Sequence, residues 1–143
     1  MDHRFVANHC TQNVITIRDL STGETTTIQP PADVTGYRQM GSARFNPTGD
    51  RVAFALAKGD PSNERGWVAI GNRLGGAAKL ILAGDAGSYY TVLGWLDDQT
   101  LLLQSNSLVC DLTCYNELLT VGADGSNPTK VANGSFLTVI DNR

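Results

Sequence analysis

The 143-residue chain is 41% hydrophobic and 17% charged, with a formal net charge of −3. That balance suits one globular domain with a real core and excludes a charge-rich, core-poor disordered segment. Three lysines stand beside eight arginines at a pI near 5.2, so no basic patch is available for phosphates and nucleic acid is not an expected partner.

The head, MDHRFVANHC, lacks the apolar core of a signal peptide, and no apolar run approaches the roughly 18 residues that span a bilayer. A soluble chain without membrane insertion is expected. His3, His9 and Cys10 cluster here but offer three ligands where a zinc site takes about four, so neither metal nor cofactor is expected. The other cysteines, Cys110 and Cys114, are spaced to close a small loop in an oxidising compartment. Ordinary thiols are the simpler reading, and the odd count argues against a disulfide framework.

Further along, β-branched and aromatic residues alternate between Gly, Asn and Asp turns, which predicts strands. No window shows an apolar stripe at helical spacing. VITIRDLSTGETTTI (Val14 to Ile28) aligns with WVAIGNRLGGAAKLI (Trp67 to Ile81) at an offset of 53, so that Ile17 meets Ile70 and Ile28 meets Ile81. LLTVGADGSNPTKV (Leu118 to Val131) is a third copy at an offset of 51. Each predicts a hairpin whose turn carries glycine, the residue that tolerates the positive φ such turns need.

A second pair interleaves with these. SARFNPTGDRVAFAL (Ser42 to Leu56) matches VLGWLDDQTLLLQ (Val92 to Gln104), with Phe45 against Trp95. In both, a strand closes on an aromatic, a turn follows, and an apolar strand returns. One unit is then strand A, turn, strand B, variable loop, strand C, turn, strand D. Four short strands per unit of about fifty residues is the pattern of a β-propeller blade. The expected fold is all-β, one propeller-like domain over 1–143. Strands B-C-D fall at 3–29, full blades at 40–83 and 90–133, and a strand A at 135–141, about three blades in all.

FNPTGDRVAFA resembles the F-S-P-D-G-x-x-[IVL]-A-[FY] element of TolB-like, WD-type propellers, with Asn46 and Thr48 in place of its usual Ser and Asp. GWLDDQTLLL resembles the G-W-x-x-D-x-x-L-L variant of the same element. The resemblance implies a propeller, commonly of six or seven blades, that serves as a protein-binding platform or gates a peptidase. It also implies a periplasmic or extracellular setting. It carries no catalytic residue. The elementary roles of its residues are structural: Pro47 presets φ, Gly49 admits the next conformation, and Phe45 and Trp95 are expected to wedge between neighbouring blades.

Three blades do not close a ring, and an open stack is expected to expose two hydrophobic faces. Two copies would give six, with the tail SFLTVIDNR completing the sheet at the partner's head, so the expected assembly is a homodimer that is half propeller per chain. The alternative is a fragment of a longer propeller polypeptide.

No G-x-S-x-G elbow, P-loop or dinucleotide fingerprint is present, and D-G-S-N-P-T-K lacks the oxygens of a calcium loop. Asp97-Asp98 and Asp124 read as turn residues. The chain is expected not to be an enzyme. The longest variable segments, AKGDPSNERG (Ala57 to Gly66) and SNSLVCDLTCYNE (Ser105 to Glu117), both join strand B to strand C. Such insertions gather on one face of a repeat protein, so Asp60, Asn63, Glu64, Arg65, Tyr115 and Asn116 are the candidate contacts for a protein or peptide partner. Two other functions remain open: a piece of the gating propeller of a prolyl-oligopeptidase-like peptidase, and a ring that binds a sugar or small ligand.

Overall fold

A computed structural model describes residues 5–10, 14–37, 39–41, 43–58, 65–107 and 116–134 of the chain. Its elements are all strands. In the head sheet, β1 (Phe5–Cys10) pairs antiparallel with β2 (Val14–Asp19), which pairs with β3 (Thr25–Gln29) in the register Ile15↔Ile28 and Ile17↔Thr26. The alternation of VITIRD explains the strand: Ile15 and Ile17 face inward and are buried, whereas Thr16 and Arg18 are not. Asp19 then sets the turn, its Oδ1 accepting from the Ser21 amide at 2.8 Å and the Ser21 hydroxyl at 2.6 Å.

The middle sheet begins with two short pieces, β4 (Gln39–Met40) and β5 (Arg44–Phe45), which both pair with β6 (Arg51–Lys58). β6 pairs with β7 (Arg65–Asn72), register Phe54↔Ala69, and β7 pairs with β9 (Lys79–Ala83). The hairpin expected over 67–81 is interrupted by a short strand, β8 (Gly76–Ala77). It turns away from β7 and adds to the head sheet in parallel with β3, Ile28↔Gly76 and Gln29↔Ala77. Gly75 and Gly76 both sit at φ +94°, a conformation open to glycine, and this lets the chain cross between sheets.

The tail sheet is an uninterrupted antiparallel meander of β10 (Ser88–Trp95), β11 (Thr100–Ser107), β12 (Glu117–Gly122) and β13 (Thr129–Asn133). Among the described residues a parallel bridge, Ser88↔Arg65, links it to the middle sheet. The tail strand expected at 135–141 lies outside the described residues.

The three units are layered. Ile15, Ile17, Ile28 and Val34 of the head pack with Val52, Phe54, Leu56, Trp67 and Ala69. Ala53, Ala55, Val68, Ile70 and Ile81 pack instead with Val92, Leu101, Leu103 and Val121 of the tail. Successive residues of β6 thus serve opposite cores, which explains its unbroken apolar run Val52 to Leu56. Burial of each large side chain contributes about 1.5–3 kcal/mol.

The two outer faces are unequal, and among the described residues the head sheet departs from the expectation of two hydrophobic surfaces. On the head sheet the outward positions of β2 and β3 include Thr16, Arg18, Thr25 and Thr27. On the tail sheet Leu102 and Leu118 are half-buried beside Thr91, Gln104 and Thr120. Alternation puts the buried isoleucines of the head sheet on its inner side, whereas the tail sheet carries leucines on both sides.

Candidate functional site

The strands run between two ends of the layered molecule. At the turn end lie the tight connections Leu20–Glu24, Asn46–Asp50, Arg73–Gly75, Leu96–Gln99 and Ala123–Ser126. At the loop end lie the end of β6, the start of β7, the end of β11 and the start of β12, together with the Gly84–Gly87 link between middle and tail sheets.

Of the six candidate contacts, Arg65 and Asn116 are described, and both sit at the loop end. Asp60, Asn63, Glu64 and Tyr115 lie outside the described residues. Arg65 opens β7 opposite Lys58 and beside Ser88, and its Nε donates to the Gly84 carbonyl at 2.8 Å. Its guanidinium thereby ties the link to the strand edge while the residue stays exposed. The Asn116 carbonyl accepts from the Gly134 amide at 2.6 Å, and next to it Glu117 meets Lys130 at 2.5 Å. Between these points the surface is polar and aromatic. Tyr89 and Tyr90 are half-buried, and a Cβ on Gly66 would come within 2.5 Å of the Tyr89 Cα, so only glycine lets β10 approach β7 there. Burial, and then the nearby Asp85 carboxylate, push the Tyr90 phenol above its ordinary pKa of 10.0, leaving a neutral hydroxyl. Asn106, 6% exposed, accepts from Gln104 Nε2 at 2.6 Å and donates to Thr91 Oγ1 at 3.3 Å. The loop end therefore presents hydrogen-bonding groups, aromatic faces and both charge signs. Among the described residues it holds no cluster of three or more His, Cys, Asp and Glu fit for a metal.

The turn end carries a denser polar cluster. Asn46, 3% exposed, donates from Nδ2 to Asp50 Oδ1 and to Asp98 Oδ1, both at 2.7 Å, while its Oδ1 accepts from the Arg51 amide at 2.9 Å. The Thr48 hydroxyl lies 2.7 Å from Asp50 Oδ1, and the Thr48 amide donates to Asp98 Oδ1 at 3.2 Å. Arg51 donates through Nη2 to the Asp98 carbonyl, and its guanidinium carbon stands 5.3 Å from the Trp95 ring centre. Trp95 Nε1 in turn donates to the Arg44 carbonyl at 3.0 Å. The Thr48 and Asn46 hydrogen bonds hold the Asp50 carboxyl below its ordinary 3.8. The Asn46 and Thr48 side chains reach Asp98 of the tail-sheet turn, so the cluster works as a clasp between the middle-sheet turn and the tail-sheet turn.

The residues singled out for structure meet at this clasp. Phe45 packs against the head–middle core and Trp95 against the middle–tail core. Gly49 sits at φ +74° and donates its amide to the Asn46 carbonyl at 2.9 Å, and Pro47 is exposed on the same turn. Sequence reasoning missed the partnership of Asn46 with Asp98, which are 52 residues apart. The signal was present as polar residues at 46, 48 and 50 facing a second Asp turn one repeat later.

No family model matches the chain, and no curated protein matches it. A solved structure, described as oligogalacturonate lyase in complex with manganese, superposes with a TM-score of 0.69 at 15% sequence identity. The likeness covers 94% of this chain but only 39% of that one. The fold is β-propeller-like. At this identity the likeness is one of fold, so the TolB-like resemblance stands at the level of a propeller-related architecture.

Proposed function

We propose that the chain is a non-catalytic β-propeller module that binds a protein or peptide partner through its loop end, and that a second copy completes its ring. The observation that carries the binding reading is the convergence at one end of Tyr89, Arg65 and Asn116, where β6, β7, β11 and β12 meet their connections. Aromatic and arginine side chains next to adaptable polar groups are what protein-binding surfaces favour. A peptide library selected against the chain tests it. Selected peptides should protect amides of 84–90, 104–107 and 116–117 from hydrogen exchange, and Tyr89→Ala should weaken them by at least about tenfold, or 1.4 kcal/mol. Peptides that protect only the turn end would overturn the reading.

A second reading is that the chain is a propeller piece of an enzyme, or binds a sugar. It is favoured by the likeness to a lyase structure of which the chain spans 39%. Incubation with oligogalacturonate and manganese separates it from the first: cleavage by this chain would replace the non-catalytic reading, and binding without cleavage would favour the sugar-binding form.

A further inference from the structure

Where the head and middle sheets meet at the turn end, they leave a recess of about 110 Å³ lined by Ile17, Asp19, Glu24, Thr26, Arg73 and Leu74. The β2–β3 hairpin forms one wall and the turn after β7 the other. The walls are tied together. Thr26 Oγ1 donates to the Arg73 carbonyl at 2.9 Å, and the Ala78 amide donates to the Gln29 carbonyl at 2.8 Å. Gly75 is pressed so close to β3 that an added Cβ would lie 2.8 Å from the Thr27 carbonyl oxygen. The recess is therefore part of the contact between two sheets, and filling it requires little further ordering.

Size and chemistry together select an occupant. Sites for whole small molecules enclose roughly 300–1,000 Å³, several times this volume, so the recess suits one side chain of a larger partner. Ile17, 2% exposed, closes the bottom, and Leu74, 75% exposed, stands at the mouth. Two carboxylates against one guanidinium leave the rim negative. The rim continues a wider field, because the five tight connections of the turn end carry Glu24, Asp50, Asp97, Asp98 and Asp124 against Arg73. Asp19 is engaged by the Ser21 amide and hydroxyl at 2.8 and 2.6 Å, whereas among the described residues no ion pair engages the Glu24 carboxylate. A lysine meets each of these conditions. Its methylene stem can lie along Leu74 and Ile17 while its ammonium stays at the wet rim beside Glu24. Leu20, 56% exposed next to Asp19, adds apolar ground for a residue flanking that lysine.

We infer that the recess is a docking site for a peptide segment of a protein partner that presents a lysine flanked by apolar residues. The acidic turn end attracts such a segment at a distance, and the recess fixes where its lysine sits. The site lies at the opposite end from the loop surface, so it stands apart from the reading given for that surface.

Two capped pentapeptides, Leu-Gly-Lys-Gly-Leu and the same sequence with acetyl-lysine, test the inference when titrated into the isotope-labelled full chain. The lysine peptide should shift the amides of 17–26 and 73–75 and saturate. The acetylated one should bind more weakly by about fivefold or more, since its charge is gone. Added salt should weaken the first and leave the second unchanged. Glu24→Gln should weaken the lysine peptide by about three- to fivefold, the usual contribution of an exposed ion pair. Leu74→Ser should do so by about the same factor through lost apolar contact. Both residues are exposed, so both variants should keep the wild-type far-UV spectrum and thermal melt. Equal binding of the two peptides, no shift at millimolar peptide, shifts confined to other amides, or undiminished binding by Glu24→Gln would overturn the inference. Shifts of the same amides on concentrating the peptide-free chain would assign the recess to a second copy and overturn it as well.

Discussion

The middle sheet and the tail sheet have similar strand plans but bury them differently. In β6 five successive residues from Val52 to Leu56 are buried, and in β7 the run from Gly66 to Gly71 is buried too. In β11 Leu101 and Leu103 are buried while Leu102 between them is half-exposed. The middle sheet has a core on each face and the tail sheet has one. Burial in this chain is thus set by a sheet's place in the stack, and strand propensity alone does not decide it.

Core truncation breaks the comparison most strongly. Phe54→Ala should cost about 3–5 kcal/mol in urea denaturation, because a fully buried aromatic leaves a cavity between two sheets. Thr27→Ala, on the outer face of the head sheet, should stay within about 0.5 kcal/mol. A comparable loss at both positions would remove the distinction.

The glycine turns sharpen it next. Gly125→Ala meets the Ile81 carbonyl as well as an unfavourable positive φ, so about 2 kcal/mol or more is expected. Gly23→Ala in the monomer meets only the φ cost, about 1 kcal/mol. Equal melting shifts in the two variants would show that the press against the preceding sheet contributes nothing.

The clasp gives a smaller effect. Asn46→Ala leaves the Arg51 amide without its side-chain acceptor and removes the donor to Asp50 and Asp98, so a loss of about 1–3 kcal/mol should appear in the same assay. The smallest effect is on pH dependence. Because Asp50 titrates below its ordinary 3.8 in the folded chain, its contribution is present above that value and fades as pH falls through the folded pKa. Asp50→Asn should flatten the stability profile in that acid window and leave the slope near neutrality unchanged. An unaltered acid limb would show that the Thr48 and Asn46 bonds do not favour the carboxylate.

The all-β class and the antiparallel hairpins could be read from alternation and turn chemistry, because both are local. Val14 to Ile28 and Leu118 to Val131 announce their own turns, as β2–β3 and β12–β13 show. The crossing of Gly76–Ala77 to β3 could not be read, since it depends on which edge a neighbouring sheet offers. The same limit explains the clasp: Asn46 looks like a turn residue until Asp98 is brought within 2.7 Å. At the loop end, Arg65 could be recognised as a loop-flanking charge, whereas the burial of Asn106 under its neighbours follows from packing and has no local pattern.

The short crossover strand β8 has a bearing on how the molecule opens. Because it leaves the middle hairpin and bonds to the head sheet, β3 cannot detach without also releasing the stretch between Gly75 and Ala78. Opening of the two sheets should therefore be a shared event, with amides of β2, β3 and β8 exchanging at one common rate in native-state hydrogen exchange. Among the described residues the tail sheet has one strand bridge to its neighbour, and it should be able to exchange on its own schedule.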